Sequence, residues 1–217
     1  MKLNHLFAGC LFLLVGSACE SELDNKTAAE VAPAAAPADK APADKASADK
    51  PAGDEAPAGS LKLASSSTIE WVGAKVTGDH SGGFKVMTGH AMVADGSLKT
   101  AKVQIDMSSL DSDHPKLTKH LLSEDFFDVS KFATATFEIT EVAPGEDGMS
   151  KVTGDLDLHG MKKSISFPAT VKTTDTGASV TAEFTLMRKD FGITYPGKPE
   201  DLIRDEVLVK GTLSFGS

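Results

Sequence analysis

Asp111-Ser112-Asp113-His114, with His120 six residues further on, is the densest gathering of metal-capable side chains in the sequence. Carboxylate and imidazole hold a divalent cation when three or four of them converge. No second group at metal-like spacing accompanies these, and a polar turn with an Asp cap ahead of a helix opening at Pro115 accounts for the same residues. Asp106, Asp111, Glu124, Asp125 and Asp128 invite a paired-carboxylate reading. Acid–base work needs two carboxyls in unlike environments across one cleft, and these fall on wet strand faces or helix ends. No serine stands in a Gly-x-Ser-x-Gly elbow, and Gly82-Gly83 precedes neither a helix nor a Lys-Ser/Thr pair. His120 and His159 read as hydrogen-bonded groups at turns. Both cysteines, Cys10 and Cys19, precede the aromatic-bearing part of the chain, so no cysteine nucleophile or thiolate metal site is expected there. The expectation is a protein without catalytic residues, metal or cofactor.

The chemistry must then lie in binding, and composition narrows what is bound. The net charge is −9, of which residues 1–60 carry −4 and residues 61–217 carry −5. Neither part attracts nucleic acid or an anionic lipid surface. Residues 20–60 contain no aromatic, whereas 61–217 hold the single Trp, the single Tyr and nine of the eleven Phe. One folded domain over 61–217 follows.

The domain alternates. In Ala101-Lys102-Val103-Gln104-Ile105-Asp106-Met107 the apolar residues take every second place. Ala135, Phe137 and Ile139 repeat the pattern; so do Val152, Leu156 and Leu158, then Ile165, Phe167, Ala169 and Val171, then Val180, Ala182, Phe184 and Leu186. Each run has one dry face and one wet face, as in an antiparallel sheet. Asp95-Gly96, Asp147-Gly148 and Thr176-Gly177 mark turns between runs. With 68–77, 84–94 and 205–215 there are about eight strands. Only Pro115 to about Phe127 has helical spacing, through Leu117, Leu121, Leu122, Phe126 and Phe127. Eight antiparallel strands with one helical insertion predict a closed all-β barrel or a sandwich. Small residues on dry faces (Ala101, Gly154, Ala169, Ala182, Gly211) leave volume inside a barrel.

Ahead of the domain, Leu6 to Val15 is apolar, Gly16-Ser17-Ala18 is small, and Cys19 follows. That is a signal-peptide layout over 1–18. Two cleavage readings compete. A general signal peptidase using small Gly16 and Ala18 would release a soluble protein, whereas lipoprotein processing would cut before Cys19 and acylate it. Cys19 is then the sole thiol, with nothing to pair with, which favours the lipoprotein. Residues 19–60 read as an unfolded spacer. In it Ala36-Pro37-Ala38-Asp39-Lys40 recurs as Ala41-Pro42-Ala43-Asp44-Lys45 and Ala46-Ser47-Ala48-Asp49-Lys50, and the prolines block helix. Such a chain spans about 35 Å on average. The expected location is the periplasm or an outer-membrane-associated lipoprotein, held to the membrane by its lipid anchor.

Several blocks are specific in combination. Ile69-Glu70-Trp71-Val72-Gly73 runs on to His80-Ser81-Gly82-Gly83-Phe84. His120-Leu121-Leu122-Ser123-Glu124-Asp125-Phe126-Phe127-Asp128-Val129 leads to Lys131-Phe132. Leu158-His159-Gly160 follows, then Arg188-Lys189-Asp190-Phe191-Gly192 and Asp201-Leu202-Ile203-Arg204-Asp205. In this order they resemble the YceI-like family of periplasmic polyisoprenoid-binding proteins, over essentially all of 61–217. The resemblance implies an eight-stranded, lipocalin-like antiparallel barrel with a long apolar cavity. It also implies an isoprenoid chain or similar long-chain lipid as ligand.

On that reading the tube wall is Trp71, Val103, Ile105, Phe126, Phe127, Phe137, Ile139, Phe167, Phe184 and Leu186. Arg188, Lys189 and Arg204 are the head-group candidates, against the alternative that they and their acidic neighbours neutralise one another. The competing function is a non-enzymatic envelope stress or interaction protein whose barrel is packed solid. If Cys19 carries the anchor, Cys19→Ala moves the protein from the membrane fraction to the soluble fraction on cell fractionation; retention in the membrane fraction refutes acylation there.

Overall fold

The computed structural model describes residues 23–34, 56–174 and 176–216. Its strands in chain order are β1 Glu30–Pro33, β2 Leu61–Leu63, β3 Thr68–Lys75, β4 Gly78–Phe84, β5 Met87–Ala94, β6 Ser97–Asp106 and β7 Leu110–Ser112. The helix α1 Pro115–Leu121 follows. Then come β8 Thr134–Pro144, β9 Ser150–Leu158, β10 Met161–Thr174, β11 Gly177–Met187, β12 Gly197–Lys198 and β13 Asp201–Gly216.

Three staves of the barrel are broken strands. β2 and β3 form one, β4 and β5 the next, β6 and β7 the third, each keeping nearly one register across its break. β8, β9, β10, β11 and β13 supply the rest. Neighbours in sequence are neighbours in the wall, and β13 closes the ring on β2 and β3. The result is an eight-stave antiparallel barrel: of the barrel and the sandwich that alternation allowed it is the barrel, in the lipocalin-like form that the family resemblance implied. Asp95-Gly96, Asp147-Gly148 and His159-Gly160 turn the chain with positive φ at both positions, as a tight hairpin matched to strand twist demands.

The barrel is solid at one end and hollow at the other. Ala91, Leu98, Ala101, Val103, Val152, Ala169, Ala178 and Phe215 are buried and fill the end where β2 and β5 lie. The opposite end carries the long connections, the segment 113–133 with α1 and the loop 188–200, beside the tight His159-Gly160 turn. Burial of the solid end supplies the fold's main stabilisation, at about 25 cal/mol for each Å² of apolar surface removed from water.

Two expectations change. The helix ends at Leu121 rather than near Phe127. The Ser123 hydroxyl donates to the His120 carbonyl at 2.7 Å, and the Phe127 and Asp128 amides turn back to Leu121 and Ser123. A serine competing for backbone carbonyls ends the helix there, and Phe126 and Phe127 ride on turns. Second, part of the expected unfolded spacer is ordered. Residues 23–34 lie on the barrel, with β1 antiparallel to β10. Val31 and Ala29 pack on the core, and Leu23 is only 4% exposed, against outward-facing Val72, Ala74 and Leu208. This stretch comes before the Pro-rich repeats and carries the apolar residues that the repeats lack. The pentapeptide repeats and Cys19 lie outside the described residues.

Asp128 returns the insertion to β8. It sits at φ 41°, where a short polar side chain is tolerated. Its carboxylate accepts from Ser130 Oγ and Lys131 Nζ, both at 2.7 Å. The Lys131 hydrogen bond, then that of Ser130, holds its pKa below the ordinary 3.8. A depressed carboxylate stabilises the fold above pH 3.8 and loses that contribution as pH falls through the depressed value. Asp128→Asn is therefore expected to lower Tm at pH 7 and to lose less further stability than the wild type below pH 4, measured by thermal melts across pH.

Candidate functional site

The hollow end contains a cavity of about 480 Å³, within the range of small-molecule sites. Its walls come from every side of the barrel. Ile105, Phe137, Ile139, Phe167, Phe184 and Leu186 line it from strands, Trp71 lines it from β3, and Phe126 and Phe127 close over it from the insertion. Nine of the ten tail residues read from the sequence thus meet in one chamber. The tenth does not. Val103 is 2% exposed and belongs to the solid end, one inward position below Ile105. Alternation assigns a residue to the inside of a barrel but not to a height along its axis.

The small inward residues also divide. A side chain at Gly211 would meet no atom within 4 Å, and Gly211 and Ala182 line the cavity. They leave space. Gly154 does not: a Cβ there would lie 2.6 Å from the Phe137 ring, which fills the place. Gly82 likewise makes room for the Trp71 indole, whose Cζ2 would lie 2.5 Å from an added Cβ. Trp71 Nε1 is buried without a hydrogen-bond partner among the described residues. A buried donor left unpaired costs about 1–3 kcal/mol.

The rim is aromatic, then cationic. His120, Phe126 and Tyr195 form a ring triad with centroids 4.9 to 5.2 Å apart. Outside it a shallower recess is lined by Lys75, His80, His114, Lys116, His120 and Lys198. Lys75 is committed to Asp201 at 2.5 Å, His80 to Asp113 and His120 to Asp125. The Lys116 and Lys198 amines have no partner among the described residues, and both are exposed. Sequence reading passed over these two. Neither stands in a motif, and they lie 82 residues apart, on α1 and on β12.

The cations chosen from sequence are engaged by the protein. Arg188 is 6% exposed and lines the cavity with its stem. Its guanidinium donates to the carbonyls of Ile193 at 2.8 Å, Arg204 at 3.0 Å and Ile203 at 3.4 Å. Burial draws its pKa below the ordinary arginine value, with the Asp205 charge opposing. Lys189 pairs with Asp205, and Arg204 with Asp24 and Glu206. The run of alternating signs is an ion-pair cluster that ties loop 188–200 to β13. His114 caps α1, accepting from the Lys116 amide, in the place where an Asp cap was expected. Among the described residues no three His, Cys, Asp or Glu side chains gather as a metal would require.

Arg188→Met keeps the stem and strands three carbonyls. It is expected to cost about 3 kcal/mol in chemical denaturation. A loss below about 0.5 kcal/mol would show that Arg188 does not hold the loop.

A family model described as the YceI-like domain matches residues 63–215. A UPF0312 protein of Pseudomonas putida strain KT2440 is 33% identical over 138 residues, covering 60% of this chain and 72% of the relative. A UPF0312 protein of Vibrio cholerae is 51% identical over 63 residues, 29% of this chain and 33% of the relative. Among solved structures, Burkholderia cenocepacia BcnA superposes with TM-score 0.59 at 23% identity, over 68% of this chain and 95% of that one. A polyisoprenoid-binding domain from Saccharophagus degradans, implicated in plant cell wall breakdown, superposes with TM-score 0.59 at 19% identity, over 72% and 98%. With the family model spanning all eight staves of the barrel, the chain belongs to the YceI-like family.

Proposed function

We propose that this protein binds a long apolar lipid, an isoprenoid or a close analogue, and carries or stores it in the bacterial envelope while tethered to a membrane through an acylated Cys19. The observation that carries the reading is the chamber itself. It is walled by aromatic and aliphatic side chains and opens onto a rim with two unpaired lysines. A solid-packed interaction module has no use for it. The polyisoprenoid-binding domain from Saccharophagus degradans, which shares the fold, supports the same ligand class.

The energetics suit a prenyl chain. Each buried CH₂-sized group is worth ~0.8 kcal/mol, so one five-carbon unit contributes roughly 3–4 kcal/mol before ordering costs. Two or three units outweigh the cost of immobilising the ligand. The head group lies outside the triad of His120, Phe126 and Tyr195, where Lys116 and Lys198 face an anion. Phosphate or diphosphate suits two ammonium groups at a wet rim. The role is binding without turnover.

Native mass spectrometry of the purified protein is the deciding measurement: a co-purifying lipid is expected, and its mass names it. Gly211→Phe is the matched control, since Gly211 has open space before it and ordinary backbone φ. A folded Gly211→Phe protein is expected to lose most of its lipid load, and one that keeps a full load refutes the internal tube. Lys116→Gln with Lys198→Gln is expected to weaken binding of farnesyl diphosphate about tenfold and to leave binding of farnesol unchanged. Equal effects on both ligands would place the head group elsewhere.

A further inference from the structure

The barrel wall has one seam that the domain does not close by itself. β10 and β11 pair from Thr174↔Gly177 to Ala169↔Ala182 and then stop. Pro168, which has no N–H to donate, is the next residue. Beyond it the two strands part, and residues of the N-terminal segment occupy the space between them. Glu30 to Pro33 pair with Ser166 to Lys163 of β10. On the other side the Ala29 amide donates to the Thr185 carbonyl at 2.9 Å, and the Thr185 amide donates to the Thr27 carbonyl at 3.0 Å. The segment is an inserted ninth strand, antiparallel to β10 and parallel to β11.

Both lips of the seam face the cavity: Ile165 and Phe167 on β10, Phe184 and Leu186 on β11. The Phe167 and Phe184 rings stack at 4.0 Å across its inner end. Nearer the mouth the wall is completed by Ala29 and Val31, whose side chains pack on the core. The seam opens towards the same end as the rim, because β10 begins and β11 ends there. A strand between two others holds them about two strand spacings apart, roughly 10 Å. Its removal leaves a slot one strand wide and about 17 Å long. An extended hydrocarbon chain, some 4 Å across at van der Waals contact, fits that width.

The filler is also the weakest stave. Only Ala29 and Val31 point inward, and alanine is a poor strand former. Its charged contacts, Lys26–Glu183, Glu30–Lys151 and Asp24–Arg204, lie at the surface, where each stabilises little. Leu23 is its one deeply buried apolar anchor. Local opening takes such a unit first.

We propose that residues 23–33 form a displaceable strand closing a lateral portal between β10 and β11, and that the lipid tail passes sideways through this portal into the chamber. The proposal rests on the lipid-binding reading and adds the route. A tail loaded through a slot slides in along its length, with its head group staying at the rim. The segment that precedes the barrel is therefore a working part of the wall.

Glu30 and Ser166 are direct cross-strand partners, within reach of a disulfide when both are cysteine. The test uses the full chain with Cys10→Ser and Cys19→Ser as background, carrying Glu30→Cys and Ser166→Cys. The probe is anthraniloyl-tagged farnesyl diphosphate, followed by energy transfer from Trp71, the only tryptophan and a wall residue. Oxidation is expected to slow both uptake and release at least tenfold, and dithiothreitol to restore them. Ala29→Pro, which removes the amide bonded to Thr185, is expected to speed release without the staple. Equal rates in oxidised and reduced protein would overturn the portal and leave the lipid reading standing. No probe binding in either form would overturn both.

Discussion

A barrel wall must satisfy its backbone hydrogen bonds all the way round, and most other features of this molecule follow from how that requirement is met. Closure of β13 on β2 and β3 fixes which side chains face inward, because period-2 alternation leaves no choice once the register is set. It also fixes where the wall is weak. Wherever two neighbours stop pairing, something else has to supply donors and acceptors, and between β10 and β11 that role falls to residues 27–33. One amide-free residue, Pro168, thus sits beside the point where the chain's N-terminal segment becomes structural.

Inside the wall the balance between packing and space is set residue by residue. Gly154 and Gly82 look like gaps, but each receives a ring, from Phe137 and Trp71. Those contacts hold aromatics flat against the wall and keep them out of the lumen. Gly211 receives nothing, and it and Ala182 line the chamber. The hollow is therefore a consequence of where large residues are seated as much as of where small ones occur. A close-packed protein interior tolerates a void of this size poorly unless something occupies it. That is the physical reason to expect a ligand rather than an idle cavity.

Much of this was legible in the sequence because alternation is a local signal. The five clear runs named the inward faces, and six of the nine wall residues that line the chamber follow from them. Val103 escaped because depth along the barrel depends on how staves are staggered, which no single run encodes. The helix was overextended because Phe126 and Phe127 repeat at a helical interval by way of turns, and the Ser123 hydroxyl that ends it is a tertiary detail of one side chain. Arg188 was conspicuous as a cation, yet its three carbonyl partners lie 5 to 16 residues away, one on loop 188–200 and two on β13. Lys116 and Lys198 were invisible for the opposite reason: nothing in their own neighbourhoods marks them. The Leu23–Ala34 stretch was grouped with the repeats on composition, although Val31 and Leu23 break that composition and are the residues that dock.

Docking of that stretch changes the geometry of the proposed tether. With residues 23–33 seated, Cys19 lies four residue steps before Leu23, and four steps reach no further than about 14 Å. On the proposed reading, an acyl anchor at Cys19 would then hold the barrel against the membrane. Leu23 packs on β3 and β13, whose mouthward residues Lys75 and Asp201 line the chamber. The rim and the seam are thus the parts kept near the lipid. With the strand released, the proposed tether would run instead from Cys19 to the start of β2 at Leu61, and an unfolded chain of that length would let the barrel stand about 35 Å away on average. Opening the wall and lengthening the leash are one event, because the same residues do both. A carrier built this way would be held at close range while the seam is shut, and would take up its lipid as the wall opens and the leash lengthens.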